Sequence, residues 1–206
     1  MTVCAVTPEN VEPTVQALVG AFATDPLIGF LFKESREREA HVGEFFRILL
    51  LVRVALGMPA LCVGTNGQVL GGVMGYDTTR PTWEPSHMAR WNRLMETAPA
   101  LQNRLAEYEA LADRFMPSLP HYYLGVIGVR PEGQGRGLGG QLLTAFCDMS
   151  VADPSSAGVY LETASEASLR FYLRNGFEVR GEGTLGQRAP LWCVFRPATT
   201  ATPADV

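Results

Sequence analysis

The sequence predicts a single-domain α/β protein whose mixed β-sheet is flanked by helices. The chain has 206 residues, of which 47% are hydrophobic and 18% charged, a size and composition typical of one folded domain. Strand-like and helix-like patterns follow one another in the order β-α-α-β-β, then a long insertion, then β-α-β-α-β-β. Such interleaving is typical of α/β architectures.

The first part of the chain predicts one strand and two helices. Residues 2–6 form a short apolar run, and Thr7-Pro8 has the pattern of a helix N-cap followed by proline. We expect that helix to end at Asp25-Pro26, because the residue before a proline disfavours helical geometry. A second helix is predicted from Ser35 to Leu56, since apolar residues recur there at helical spacing.

A hairpin and an insertion follow. The apolar runs 61–63 and 69–76 are joined through Asn66-Gly67, and Asn-Gly between two such runs is typical of a tight β-hairpin. Residues 77–120 then form a long, mostly helical insertion that ends near two prolines.

The last part predicts four strands and two helices. The strands are expected at residues 121–129, 158–163, 177–180 and 191–195, and the helices at residues 137–150 and 166–175. Gly176 follows the second of these helices at the position where glycine commonly ends a helix. Residues 197–206 are rich in alanine, threonine and proline and are predicted to be a flexible tail.

Charge and cysteine spacing exclude several functions. The net charge of −4 argues against nucleic-acid binding, which usually needs a basic surplus. No cysteine forms a CxxC pair or lies near a histidine, so no metal site is predicted. Apolar runs such as Ile48–Val52 are far too short to span a bilayer, and residues 1–12 lack the basic residues of a secretory signal. We expect a cytoplasmic protein with reduced thiols and no membrane partner.

The segment Val129–Gly140 is the most informative part of the sequence for function. It contains five glycines and lies between a buried strand and an amphipathic helix. Glycines let a backbone approach a ligand closely, and their N–H groups can point at phosphate oxygens. The helix N-terminus contributes a partial positive charge and Arg136 a full one. The segment therefore predicts a diphosphate-binding loop.

Two nucleotide-binding motifs fit this loop poorly. A P-loop requires a lysine that is absent here. The dinucleotide fingerprint GxGxxG is matched by Gly135, Gly137 and Gly140, with Glu162 near the expected acidic position. However, Pro131–Gln134 separates these glycines from the strand, and too few residues follow to complete a doubly wound sheet. A nicotinamide-binding module is the disfavoured alternative.

A third pattern fits better. Gln134, Gly137 and Gly139 match Gln/Arg-x-x-Gly-x-Gly/Ala, and Leu161-Glu162-Thr163 and Phe171-Tyr172 with Gly176-Phe177 follow downstream. Together they resemble the GNAT superfamily of N-acetyltransferases. Ala21-Phe22-Ala23-x-Asp25-Pro26 and Trp192-Cys193 are most similar to puromycin N-acetyltransferase and its relatives. The resemblance implies a mostly antiparallel sheet, splayed at the acyl-CoA strand.

The resemblance also implies a division of the chain. Residues 1–196 would form the N-acetyltransferase domain, with 77–120 near the acceptor site. Acetyl-CoA would be the co-substrate, without a metal. Its pantetheine arm and diphosphate would be bound by Ile127, Gly128, Val129, Gln134, Gly135, Arg136, Gly137, Leu138, Gly139, Gly140 and Ser168. Ser168 stands where relatives often carry asparagine.

Two further residues are expected to be catalytic. Tyr172 occupies the position of the family tyrosine that protonates the departing CoA thiolate. Many relatives place a basic carboxylate on the acyl-CoA strand, but residues 123–126 contain no acid. Glu162 is the best substitute, acting directly or through a water, with a purely structural carboxylate as the equal alternative. His121 is a weaker candidate.

The acceptor site is predicted by segment alone. Its candidate residues are Phe22, Asp25, Phe30, Phe45, Tyr76 and Trp83. Aromatic walls suit a small apolar amine. The predicted function is therefore acetyl-CoA-dependent N-acetylation of a small amine by direct attack, in a monomer or homodimer. The alternatives are a protein or peptide acceptor, and a non-catalytic acyl-CoA sensor.

Overall fold

A seven-stranded mixed sheet forms the centre of the protein, with strand order β1-β2-β3-β4-β5-β7-β6. The computed structural model describes residues 2–33, 35, 37–65 and 67–198. The strands are β1 (Thr2–Ala5), β2 (Ala60–Thr65), β3 (Gln68–Tyr76), β4 (Tyr122–Val129), β5 (Gly158–Thr163), β6 (Glu178–Leu185) and β7 (Ala189–Pro197). The helices are α1 (Val11–Ala21), α2 (Pro26–Leu31), α3 (Arg38–Ala55), α4 (Pro85–Thr97), α5 (Pro99–Asp113), α6 (Leu138–Ala152) and α7 (Glu166–Arg174).

The sheet is split between β4 and β5. All other neighbouring strands pair antiparallel, whereas β4 and β5 are parallel and pair only through Tyr122 with Val159 and Tyr123 with Tyr160. Beyond Tyr123, β4 leaves its neighbour. The predicted fold class, a mostly antiparallel mixed sheet splayed at this strand, is confirmed.

A bulge in β4 lies beside the split. The register with β3 changes from Gly75 opposite Leu124 to Met74 opposite Val126, so Gly125 has no opposite residue. An extra residue reverses which face the following side chains occupy. Accordingly, Leu124 packs with α6 on one face of the sheet, and Val126 packs with α1 and α3 on the other.

The first helix is shorter than predicted, and a further helix follows it. Residues Thr7–Asn10 form a turn in which Asn10 Oδ1 accepts a 2.8 Å hydrogen bond from the Thr7 N–H, so α1 begins only at Val11. Asp25-Pro26 starts α2, where the Asp25 carboxylate accepts from the Ile28 N–H at 3.0 Å. A proline that stops one helix also fits the first turn of the next.

Two other boundaries differ from the prediction. Ser35 does not cap α3, which begins at Arg38; its hydroxyl instead lies 2.6 Å from His41 Nδ1. Strands β6 and β7 are longer than expected. The prediction for β6 stops before Gly181, where a glycine is needed in the strand because a Cβ would collide with Phe115, two residues after the end of α5.

The predicted hairpin, tail and insertion can each be compared with the structure. Strands β2 and β3 form the expected antiparallel hairpin, although Asn66 of its turn lies outside the described residues, as do residues 199–206 of the predicted tail. Residues 77–120 contain α4 and α5. No helix within the described parts of the chain is both long and apolar enough to cross a membrane.

Candidate active site

A cleft of about 350 Å³ opens where β4, the glycine-rich turn and α7 meet. All the residues predicted to bind the cofactor line it except Arg136, whose side chain is exposed. The lining residues are Ala21, Phe22, Asp25, Ile127, Gly128, Val129, Gly133, Gln134, Gly135, Gly137, Leu138, Gly139, Gly140, Ser168, Phe171 and Tyr172.

The turn before α6 is shaped by glycine backbone. Gly135 and Gly137 have φ angles of +73° and +75°, and Gly137 is the N-cap residue of α6. A Cβ on either residue would meet no other atom within 4 Å, so glycine is needed for the positive φ angle and not to avoid a collision. The space beside both residues is open. The first N–H groups of α6 lack helical partners and carry partial positive charge. These features fit a diphosphate.

The opposite wall of the cleft is the free edge of β4. Ile127, Gly128 and Val129 pair with β3 on one side, and no β5 residue pairs with them on the other. A Cβ on Gly128 would lie 2.8 Å from both Ala21 Cβ and the Phe22 ring, so glycine lets α1 approach the strand here. Backbone groups along this edge are available to an extended ligand.

Tyr172 is a buried residue that lines the cleft. The side chain is 6% exposed, and its ring packs against Phe171 and Phe177 at centroid distances of 5.4 and 5.5 Å. Burial, and then the Asp25 carboxylate, raise the pKa of Tyr172. The phenol therefore keeps its proton at neutral pH, as a proton donor must.

A second cavity of about 280 Å³ adjoins the cleft, and Phe22 lines both. It lies among α1 to α5, β3 and β4, and its walls are mostly aromatic and aliphatic. The lining residues are Phe22, Leu27, Ile28, Leu31, Phe45, Phe46, Leu49, Arg53, Met74, Tyr76, Trp83, Trp91, Leu105, Tyr108, Glu109, Tyr123, Gly125 and Val126.

The predicted acceptor residues lie in different places in the structure. Phe22, Phe45, Tyr76 and Trp83 line the second cavity. Asp25 lines the cleft instead, because it caps α2 beside Tyr172. Phe30 lines neither cavity, since its ring lies near Gly186 in the β6–β7 turn and near Arg104, and its role in acceptor binding stays a prediction.

Glu162 lies behind two tyrosines of the second cavity. Its Oε2 atom accepts hydrogen bonds from the Tyr108 hydroxyl at 2.8 Å and the Tyr123 hydroxyl at 3.0 Å. Its Oε1 atom is buried and has no hydrogen-bond partner among the described residues. Burial raises the pKa of Glu162 to about 7, although both tyrosines oppose the shift. Glu162 lines neither cavity, so a proton from the second cavity would reach it through a tyrosine hydroxyl.

His121 is not part of this arrangement. It lines neither cavity, its Nδ1 lies 2.7 Å from the Leu119 carbonyl oxygen, and burial lowers its pKa. Among the residues that the structure describes, no group of three or more His, Cys, Asp or Glu side chains could hold a metal ion.

Sequence reasoning missed three residues of the second cavity. Tyr108 and Tyr123 contact Glu162 only because α5 and β4 meet in the fold, and no spacing in the sequence indicates that. Arg53 did leave a signal, because it interrupts the apolar run Ile48–Ala55 on α3. It is 5% exposed and lines the cavity.

Comparison with known proteins agrees with this geometry. Residues 108–179 match the model of the family described as "Acetyltransferase (GNAT) domain". The chain is 23% identical to a protein of Corynebacterium glutamicum described as "histone acetyltransferase HPA2 and related acetyltransferase", with a TM-score of 0.72 over 98% of both chains.

Two small-amine acetyltransferases are also similar in fold. Polyamine N-acetyltransferase of Drosophila melanogaster, which forms N-acetylagmatine, is 22% identical over 94% of this chain and 97% of that chain, with a TM-score of 0.66. Mosquito arylalkylamine N-acetyltransferase-like 5b is 15% identical over 95% and 99%, with a TM-score of 0.62. The chain thus has the fold of these acetyltransferases, and its residues 108–179 match the GNAT acetyltransferase model.

Proposed function

We propose that this protein transfers an acetyl group from acetyl-CoA to the primary amine of a small molecule, by direct attack of the amine on the thioester. The observation that carries the proposal is the meeting of two cavities at Phe22. One has a backbone cradle and a buried tyrosine, and the other has aromatic walls and a carboxylate behind two hydroxyls.

The cleft suits the donor. The turn from Gly135 to Gly140 offers free N–H groups and the N-terminus of α6 to a diphosphate. The free edge of Ile127–Val129 offers backbone groups to the amide-containing pantetheine arm, in the manner of an added strand. Ser168 and Gln134 line the same cleft.

Glu162 and Tyr123 suit the removal of a proton from the amine. An ammonium in the second cavity donates to the Tyr123 oxygen, while the Tyr123 hydroxyl passes its own proton to Glu162 Oε2 at 3.0 Å. The amine becomes neutral and nucleophilic, and Glu162 becomes a neutral acid. A pKa of about 7 lets this carboxylate accept a proton at neutral pH.

Tyr172 suits protonation of the leaving group. As the amine forms its bond to the carbonyl carbon, the bond from that carbon to sulfur breaks and leaves a thiolate. Tyr172 lines the cleft, and its hydroxyl retains its proton because burial raises its pKa. It delivers that proton to the sulfur, and the resulting tyrosinate takes up the proton that the attacking nitrogen loses as the amide forms.

The second cavity favours a small acceptor over a peptide. Helices α4 and α5 contribute Trp91, Leu105 and Tyr108 to its walls, and the Trp83 indole N–H donates to the Tyr76 hydroxyl at 2.8 Å. A volume of about 280 Å³ matches a compact amine. The fold neighbours named for polyamine and arylalkylamine substrates support a small acceptor.

The first experiment is calorimetric titration with acetyl-CoA, with NADH as the control titration. We expect micromolar binding of acetyl-CoA and none of NADH. Release of the CoA thiol is then followed with a thiol reagent, using a panel of small amines beside lysine-bearing and free N-terminal peptides. Binding without turnover on any amine would indicate a sensor, and faster turnover of peptides would contradict a small acceptor.

A further inference from the structure

A buried arginine in the second cavity has a hydrogen-bond donor without a partner among the described residues. Arg53 lies 4.2 Å from the centroid of the Tyr76 ring, measured from its guanidinium carbon. Its Nη1 donates to the Leu49 carbonyl at 3.2 Å, and its Nε is buried with no hydrogen-bond partner among the described residues. Within those residues no carboxylate forms an ion pair with it.

Such an arginine is costly to the free protein. A guanidinium stays charged at physiological pH, and burying a charge without a hydrogen-bonded counter-ion is unfavourable. Stacking on Tyr76 supplies only part of the compensation. The cost is recovered when an anion enters the cavity, since the planar fork of donors matches a carboxylate.

The charges around Arg53 also favour an anion. Arg80 approaches the Tyr76 ring at 5.4 Å and adds a second positive charge. Of the acids near the cavity, Glu109 is exposed at its edge, and Glu162 is engaged by Tyr108 and Tyr123. Neither neutralises Arg53. A second ammonium, as in a diamine or agmatine, would be repelled here.

We propose that Arg53 binds a carboxylate of the acceptor, so that the amine acetylated by this protein is an amino acid with an apolar, aromatic side chain. This inference rests on the proposed function and names its substrate class. The aromatic side chain would pack among Phe45, Phe46, Trp83 and Trp91, which line the same cavity.

The spacing of the two polar ends fits an amino acid. Tyr76, on which Arg53 stacks, is directly opposite Tyr123 in the β3–β4 pairing. Side chains directly opposite in neighbouring strands are close neighbours. Arg53 and Tyr123 line the same cavity, so one bound amino acid can present its carboxylate to the first and its amine to the second.

The test compares matched acceptors that differ only in the carboxylate: tryptophan with tryptamine, and phenylalanine with phenethylamine. We expect wild type to have the higher kcat/KM for the amino acids. Replacing Arg53 by methionine should lower kcat/KM for the amino acids by about 10- to 100-fold, the loss expected for charge-assisted hydrogen bonds. The value for the decarboxylated amines should stay within about threefold.

Two variants serve as controls. Arg90→Met removes an exposed arginine on α4 that pairs with Glu44 and does not line the cavity, and it should keep the preference for amino acids. Arg53→Lys keeps the charge and should retain part of that preference. Calorimetric acetyl-CoA binding by Arg53→Met, unchanged from wild type, shows that the variant is folded.

A second readout does not depend on turnover. N-acetyltryptophan has the carboxylate and the aromatic ring but no reactive amine, and its binding is measured by calorimetry in wild type and Arg53→Met. Loss of binding in the variant supports the site even if no amine is acetylated. Equal binding to both proteins, a wild-type preference for tryptamine, or an equal loss for both acceptors would overturn the proposal.

Discussion

The two cavities are built in different ways. Most of the cleft comes from backbone of consecutive residues, since Ile127–Gly140 provides a strand edge, a glycine turn and a helix start. The second cavity is built from residues of four helices, two strands and the segments beside them, which are far apart in the chain. A donor shared by many enzymes needs one local motif, whereas a particular acceptor is recognised by a surface that only tertiary packing assembles.

The largest expected effect belongs to Glu162, which serves the second cavity. Replacing it by glutamine should lower kcat by roughly 10³-fold, within the range for loss of a general base. In wild type, kcat/KM should rise with pH through an inflection near 7, because the carboxylate of the free enzyme must be ionised to accept a proton. The variant should lack that inflection. Steady-state rates from pH 5.5 to 9 measure both effects.

The same substitution should also change how the free energy of unfolding depends on pH. The pKa of Glu162 is about 7 in the folded protein, above its ordinary value of 4.5, so the folded state binds more protons between these pH values. The free energy of unfolding due to this group therefore falls as pH rises through that window. Glu162→Gln should remove the slope. Glu166→Gln, at an exposed ion pair with Arg170, is the control and should change neither property.

A substitution of Tyr172 tests the role of the cleft. Tyr172→Phe keeps the ring packed against Phe171 and Phe177 and removes only the hydroxyl, so the dissociation constant of acetyl-CoA should stay within about twofold. The maximal rate should fall by roughly 10²-fold, as for loss of a general acid. Tyr122→Phe, on β4 but outside both cavities, should retain its rate. A Tyr172→Phe enzyme of normal rate would remove the tyrosine from the mechanism.

The smallest effect is expected at Gly137, whose φ is +75°. A Cβ there meets no neighbour, but an alanine pays about 1–2 kcal/mol for left-handed backbone. We expect Gly137→Ala to weaken acetyl-CoA binding by about 10-fold as the N–H groups move. Gly57→Ala imposes the same strain at φ +65° after α3, away from both cavities. It should lower Tm without changing binding, so equal binding losses would contradict a specific role for the turn.

The sequence predicted the cleft better than the second cavity, for a physical reason. Gln134, Gly137 and Tyr172 are recognisable because chemistry fixes their spacing along the chain. Tyr108 has no such signal, since its hydroxyl matters only because α5 brings it 2.8 Å from Glu162.

Some features of the fold could likewise be predicted from the sequence and others could not. The strands and the larger helices follow from apolar periodicity, and the resemblance to a family supplied the splay. The bulge at Gly125 depends on the register of β4 against β3, which periodicity does not contain. Helix α2 was missed because Pro26 was interpreted only as an end, although it also begins six residues of helix.

The free edge of β4 has a consequence for the lifetime of the protein. The sheet is held across its middle by only two paired positions, Tyr122 with Val159 and Tyr123 with Tyr160. A molecule that pairs along the rest of this edge joins the two halves and stabilises the folded chain by mass action. Resistance to proteolysis should then rise with the concentration of that molecule.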